Sequence, residues 1–143
     1  MSAILPQRGP VYHASPSRFS EPRVALVHYW FVSMRGGERV VERLLVLYPK
    51  ADIFTHVYNP ALVSATIAKA KVTTSFINRM PGSRRFYQYY LPLMPMALEQ
   101  LDLAGYDLVI SSESGPAKGV ITAPDSLHVC YCHSPMRYLW DHY

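Results

Sequence analysis

Gly36 and Gly37 stand side by side in "SMRGGERVVERLL", after an apolar run and before a segment with helical spacing. Glycine has no Cβ, so backbone N–H groups beside it are open to close approach. A helix N-terminus adds unpaired N–H donors and a partial positive charge. Together with Arg35 these residues form a candidate anion site, best suited to a phosphate. The same pair also suits a plain turn between strand and helix. Two stronger phosphate fingerprints are absent. The chain has no Gly-x-Gly-x-x-Gly at this point and no Gly-x-x-x-x-Gly-Lys-Ser/Thr, which excludes a dinucleotide fingerprint and an ATP-type P-loop there.

Further residues able to do chemistry lie later in the chain. "VISSES" places Ser111, Ser112 and Ser114 around Glu113, a set able to line a polar pocket or simply to cap a turn. "CYCHSPMR" carries Cys130, Cys132, His133 and Arg137. His133 falls just after an expected strand, where it can meet a ligand or cap a loop. His28 lies within an earlier expected strand and reads as a core or wall residue. Cys130 and Cys132 share one face of a strand at i, i+2 spacing, which disfavours pairing with each other. They are expected to be buried, reduced thiols, as suits a cytoplasmic protein. Cys-x-Cys-His lacks a partner Cys-x-x-Cys or His-x-x-x-His, so no metal site is assigned.

The elements that position these residues alternate in type. Residues 23–31, 51–58, 71–77, 106–114 and 127–134 read as strands, rich in β-branched and aromatic side chains. A helix is expected from Gly37 to Pro49, with Val40, Val41, Leu44, Leu45 and Tyr48 inward and Glu38, Arg39, Glu42 and Arg43 on the opposite side. A second follows Asn59 and Pro60 as cap and first turn. Residues 83–104 read as helical with interruptions at Pro92 and Pro95, and a short helix opens at Ser114 to Pro116. Strand–helix alternation predicts an α/β fold, a Rossmann-like, doubly wound and mainly parallel sheet of about five strands.

Three of these segments, "HYWFVSMRGGERVVERLL", "YDLVISSESGPAKGV" and "CYCHSPMRYLWDHY", together resemble the N-terminal domain of family 4 glycosyltransferases of GT-B fold. The likeness is to bacterial mannosyltransferase-like members that build surface polysaccharides, and it spans roughly residues 23 to 143. The resemblance implies two Rossmann-like domains facing a cleft, the N-terminal one on the acceptor side and the C-terminal one holding a nucleotide-sugar donor through a Glu-x7-Glu motif. It implies sugar transfer with retention of configuration, no required metal and no cofactor beyond the nucleotide-sugar co-substrate. It places Gly36, Gly37 and Arg35 at the donor diphosphate and His133 beside the transferred sugar as the catalytic candidate. Ser112, Glu113 and Arg137 are then the candidate acceptor-binding residues. A second reading, of another class, is a non-catalytic Rossmann-like module that binds a phosphorylated ligand or a partner domain.

The composition is compatible with either. With 143 residues, 50% hydrophobic and 17% charged, the chain can bury a core and is not of disordered composition. A net charge of +4 favours anionic partners. Residues 1–22 read as a flexible leader without the build of a signal peptide, and 23–143 as the acceptor-side domain. The terminal "YLWDHY" is expected to pack on a further domain, so the donor domain is taken to be missing from these residues and the isolated chain to be inactive. "NRMPGSRRFYQYYLPLMPMALEQL" joins arginines to aromatics, as at an anionic membrane surface, where a polyprenyl-linked acceptor is found; a core helix with a solvated basic start fits slightly better. Localisation is expected to be cytoplasmic, with peripheral attachment to the inner membrane face. No nucleic-acid-binding signature is present, and no nucleic-acid partner is expected.

Overall fold

The first strand explains the sheet. β1 (Val24–Phe31) carries eight residues without a charge, and all but Trp30 are buried. A strand apolar on both faces must lie in the middle of a sheet covered on both sides. The computed structural model of this chain, which describes residues 21–113 and 115–133, places it there. The other strands are β2 (Asp52–Tyr58), β3 (Val72–Thr74), β4 (Leu108–Ser112) and β5 (Leu127–Tyr131). The order is β3-β2-β1-β4-β5, and every pairing is parallel. This is the doubly wound α/β fold expected from the alternation of elements.

Helices cover both faces. On one, α1 (Gly36–Leu47) and α2 (Ala65–Lys69) bring Val41, Leu45 and Ile67 against Leu26, Phe31 and Ile53. On the other, α4 (Met94–Glu99) and the loop after it bring Leu98, Leu103 and Tyr106 against Ala25, Val27 and Phe54, while Ile77, Met94 and Ala97 pack on Val57 and Tyr29. Each fully buried Leu, Ile or Met contributes about 1.5–3 kcal/mol relative to exposure, so these two layers carry most of the favourable term.

Several elements differ from the sequence reading. The third strand is shorter than 71–77. After Thr74 the chain leaves the sheet for a 3-10 turn, Phe76–Arg79. Asn78 Oδ1 accepts from the Tyr58 amide at 3.0 Å, which pins this turn to the end of β2. The helix expected after Asn59 is two pieces. Asn59 caps a 3-10 turn, Pro60–Leu62, and Ser64 caps α2 by accepting from the Ile67 amide. Residues 83–104 divide into α3 (Ser83–Phe86), a 3-10 segment Tyr87–Leu93 and α4, with Pro92 and Pro95 removing backbone donors. The short helix after Gly115 is a 3-10 turn, Pro116–Gly119.

The expected burial of the cysteines is overturned. Cys130 and Cys132 are both free and exposed. β5 is an edge strand, and Leu127, Val129 and Tyr131 on it are exposed too, because no described helix packs across it. The leader and the terminal "YLWDHY" lie outside the described residues, apart from Glu21 and Pro22. Among the described residues no helix is long and apolar enough to cross a membrane.

The two ends of the sheet are built differently. At the amino ends of the strands, the Tyr106 hydroxyl donates to the Asp52 carboxylate and Arg23 lies over the Tyr106 ring at 4.6 Å. Burial, and then the Asp52 carboxylate, push the Tyr106 pKa up to about 12. Toward the carboxyl end of β2, His56 is 1% exposed. Its Nδ1 pairs with Ser75 Oγ at 3.0 Å, while its Nε2 is buried with no partner among the described residues.

Burial pulls the His56 pKa down to about 4. The unfolded chain therefore binds a proton near the ordinary histidine value of 6.5 that the folded one refuses until about 4. Stability is full above that window and falls as pH drops through it, by roughly 3 kcal/mol for a shift of this size. Urea unfolding midpoints measured between pH 7.5 and 4 should decline, and His56→Gln should flatten the decline; equal slopes for the two proteins would refute the assignment.

Candidate functional site

The strand order reverses direction between β1 and β4. In a doubly wound sheet the crevice at that switch point, beyond the carboxyl ends of the strands, is the ligand position. Here it is formed by the end of β1, the mouth of α1, the end of β4 and the residues after β5. His28, Gly37, Ser112 and His133 meet there.

His28 is 6% exposed. Its Nδ1 lies 2.5 Å from the Ser112 carbonyl oxygen. A carbonyl only accepts, so Nδ1 carries the hydrogen and donates it. Ser112, 1% exposed, also meets His133: its Oγ is 3.0 Å from His133 Nε2. One serine thus holds both imidazoles, one through its main chain and one through its side chain. His133 is exposed and packs edge-on against Tyr131 at 4.9 Å. Burial lowers the His28 pKa most; the Ser112 carbonyl and the Glu38 charge oppose this, and His133 reinforces it.

The two glycines have different neighbours. A Cβ on Gly36 would meet nothing within 4 Å, and Gly36 is exposed. A Cβ on Gly37 would lie 2.9 Å from His28 Cε1, 3.5 Å from His28 Nε2 and 3.7 Å from His133 Nε2. Neither glycine has positive φ. Gly37 is required by close approach to a histidine edge, not by backbone conformation. Among the described residues nothing accepts from the amides of Gly36 or Gly37, so both donors at the helix mouth are unspent.

The sequence reading missed Glu38. Placed there on the solvated side of α1, it is 4% exposed and continues the buried stripe of Val41 and Leu45. Its Oε2 accepts from the Arg35 amide at 3.0 Å. Arg35 itself has no side-chain acceptor, so only this half of a capping box is made. The signal was present, since Glu three residues past a helix N-cap is a capping residue. One negative charge therefore already sits at the helix mouth. Arg35 is exposed, with extended backbone at the N-cap.

Glu113 is 2% exposed and turned inward. Its Oε1 accepts from the amides of Gly115 and Ala117, at 2.9 and 2.5 Å, and shapes the loop after β4. Ser111 Oγ lies 2.9 Å from His128 Nε2, away from the crevice pair. Ser114 and Arg137 lie outside the described residues. Among the described residues no group of three or more His, Cys, Asp or Glu is arranged to hold a metal ion. A cavity of about 300 Å³ lined by Glu21, Pro22, Val24, Tyr48, Lys50 and Ala51 lies at the opposite end of β1, and its two charged groups are spent on each other, Lys50 pairing with Glu21.

Comparison with known proteins finds no matching family model, no matching curated protein and no matching solved structure. Function rests on the crevice itself.

Replacing the glycines separates their roles. Gly36→Ala should leave stability unchanged or raise it by up to about 1 kcal/mol, through helix propensity. Gly37→Ala forces a ring held by Ser112 to move and should lower stability by about 1–3 kcal/mol. Thermal unfolding of both variants tests this; equal behaviour would remove the packing role given to Gly37.

Proposed function

We propose that this chain is the acceptor-side half of a GT-B glycosyltransferase, moving a sugar from a nucleotide-sugar to a glycan or polyprenyl-linked acceptor with retention of configuration. One observation supports it above the rest: the mouth of α1, whose Gly36 and Gly37 amides have no acceptor among the described residues, stands at the switch-point crevice with Gly37 beside two histidines. In such a transfer the bond from the sugar carbon to the diphosphate oxygen breaks, and its electron pair stays on the phosphate. The acceptor oxygen bonds to the sugar carbon and passes its proton to the departing phosphate oxygen. Negative charge grows on the departing diphosphate, and donors already aimed there stabilise it without reorganising. Arg35 adds a cation at the same rim. His133, exposed and steered by Ser112, is placed to hold a sugar hydroxyl. Glu113 supports the acceptor side by fixing the loop after β4. The nucleotide-binding half of the site belongs to a further domain in this reading.

Glu38 tempers the site. Its charge at the helix mouth weakens binding of a second anion, by about 0.3–1 kcal/mol for a helix-terminal charge. Inorganic pyrophosphate titrated into the labelled protein should shift the Gly36 and Gly37 amide resonances. Glu38→Gln keeps an acceptor for the Arg35 amide and removes the charge, so it should bind pyrophosphate several-fold more tightly. Unmoved glycine amides at millimolar pyrophosphate would end the diphosphate reading.

The membrane partner has an observation of its own. Arg84, Arg85, Phe86, Tyr89 and Met96 are all exposed on one stretch of chain. Tyr87 in that stretch packs on Trp30 at the carboxyl end of β1, with ring centres 4.5 Å apart, so the stretch borders the crevice side of the sheet. Basic residues beside exposed rings suit an anionic lipid surface. The protein should sediment with vesicles containing anionic lipid and not with neutral ones, and Arg84→Glu with Arg85→Glu should release it. Binding indifferent to lipid charge would count against this surface.

A further inference from the structure

His28 is more than a wall of the crevice. Its Nδ1–H is committed to the Ser112 carbonyl, which leaves Nε2 with the lone pair. Among the described residues nothing donates to Nε2. Its ring edge lies at the crevice floor under Gly37, the one glycine of the pair whose Cβ would meet it. Any residue larger than glycine at 37 would cover it.

That floor differs chemically from the rim. The rim offers amide donors and Arg35. The floor offers a lone pair on His28 Nε2, and the Glu38 carboxylate lies near. A phosphate oxygen facing Nε2 sets acceptor against acceptor and gains nothing. A group that donates a hydrogen bond is wanted there, within reach of a phosphate seated on the rim. A sugar phosphate carries both in one molecule.

We propose that His28 Nε2 accepts a hydrogen bond from a hydroxyl of a sugar whose phosphate sits on the Gly36 and Gly37 amides, so that His28 selects a sugar phosphate over a bare phosphate. This rests on the diphosphate reading above and adds a specificity-determining residue to it. The short bond to Ser112 is the positioning device: it fixes the tautomer and aims the ring edge. Ser112 then links the two histidines, so a hydroxyl on His28 and one on His133 are held at a set separation.

The test uses the whole chain, with inorganic pyrophosphate, glucose 1-phosphate and phosphoethanolamine as probes. Long-range nitrogen spectra of the wild type should show His28 with Nδ1 protonated and Nε2 bare. Glucose 1-phosphate should shift the Nε2 resonance, and pyrophosphate should move the glycine amides without it. His28→Asn keeps a donor to the Ser112 carbonyl and removes the Nε2 acceptor. It should weaken glucose 1-phosphate about fivefold, the scale of one neutral hydrogen bond, and leave pyrophosphate unchanged. Because that variant removes buried ring atoms, the wild-type spectra decide if it fails to fold. Glycine amides that respond to both anions while Nε2 stays still would overturn the role of His28 and leave the anion site standing. Glycine amides that respond to neither would overturn both. A larger Nε2 shift with phosphoethanolamine would show selection of a cation and overturn the hydroxyl assignment.

Discussion

The hydrogen bond from His28 Nδ1 to the Ser112 carbonyl joins the two strands between which the sheet reverses its order. β1 and β4 are paired in parallel register from Val24 with Leu108 to Val27 with Ser111. At the next step the main-chain ladder gives way to this side-chain bond. The crevice begins where the ladder stops, and the imidazole closes its floor. Without that bond the ring would be free to turn, and the space under Gly37 would have no defined partner.

The rest of the site follows from what can approach that ring. Gly37 passes over it because it has no Cβ. The mouth of α1 thereby lies against the end of β4, with Gly37 close to His133 as well. Glu38 enters as the helix's own cap, accepting from the Arg35 amide and bringing a carboxylate within electrostatic reach of His28. The crevice thus combines donors at its rim with acceptors at its floor. That polarity is a stronger guide to the ligand than a glycine pair alone, since it asks for an anion and a hydrogen-bond donor in one molecule.

A division of labour separates the ends of the sheet. At the amino ends, Arg23, Asp52, Tyr106 and Asp107 are tied to one another. At the carboxyl ends, His133 is exposed and two backbone donors are unspent. Internal satisfaction favours stability, and unsatisfied but solvated groups favour binding. The edge strand β5 follows neither pattern, with apolar residues and both cysteines open to solvent.

Much of the fold was legible in the sequence, because burial on both faces forces the uncharged run of β1 and hydrophobic spacing forces α1. The parallel doubly wound arrangement then follows from alternation, and the glycine pair from its place between them. Boundaries were less legible. Ser64 restarts a helix and Asn78 ends a strand through side-chain bonds that no periodicity records. Glu38 looked solvated because its charge outweighed its position on the buried stripe, and Cys130 was expected to be buried although its strand lies at the sheet edge. Only the tertiary structure decided the roles of His28 and Gly37. Their contact depends on parallel strands and a helix meeting at one edge, and positions nine residues apart in sequence carry no sign of that meeting until the chain is folded.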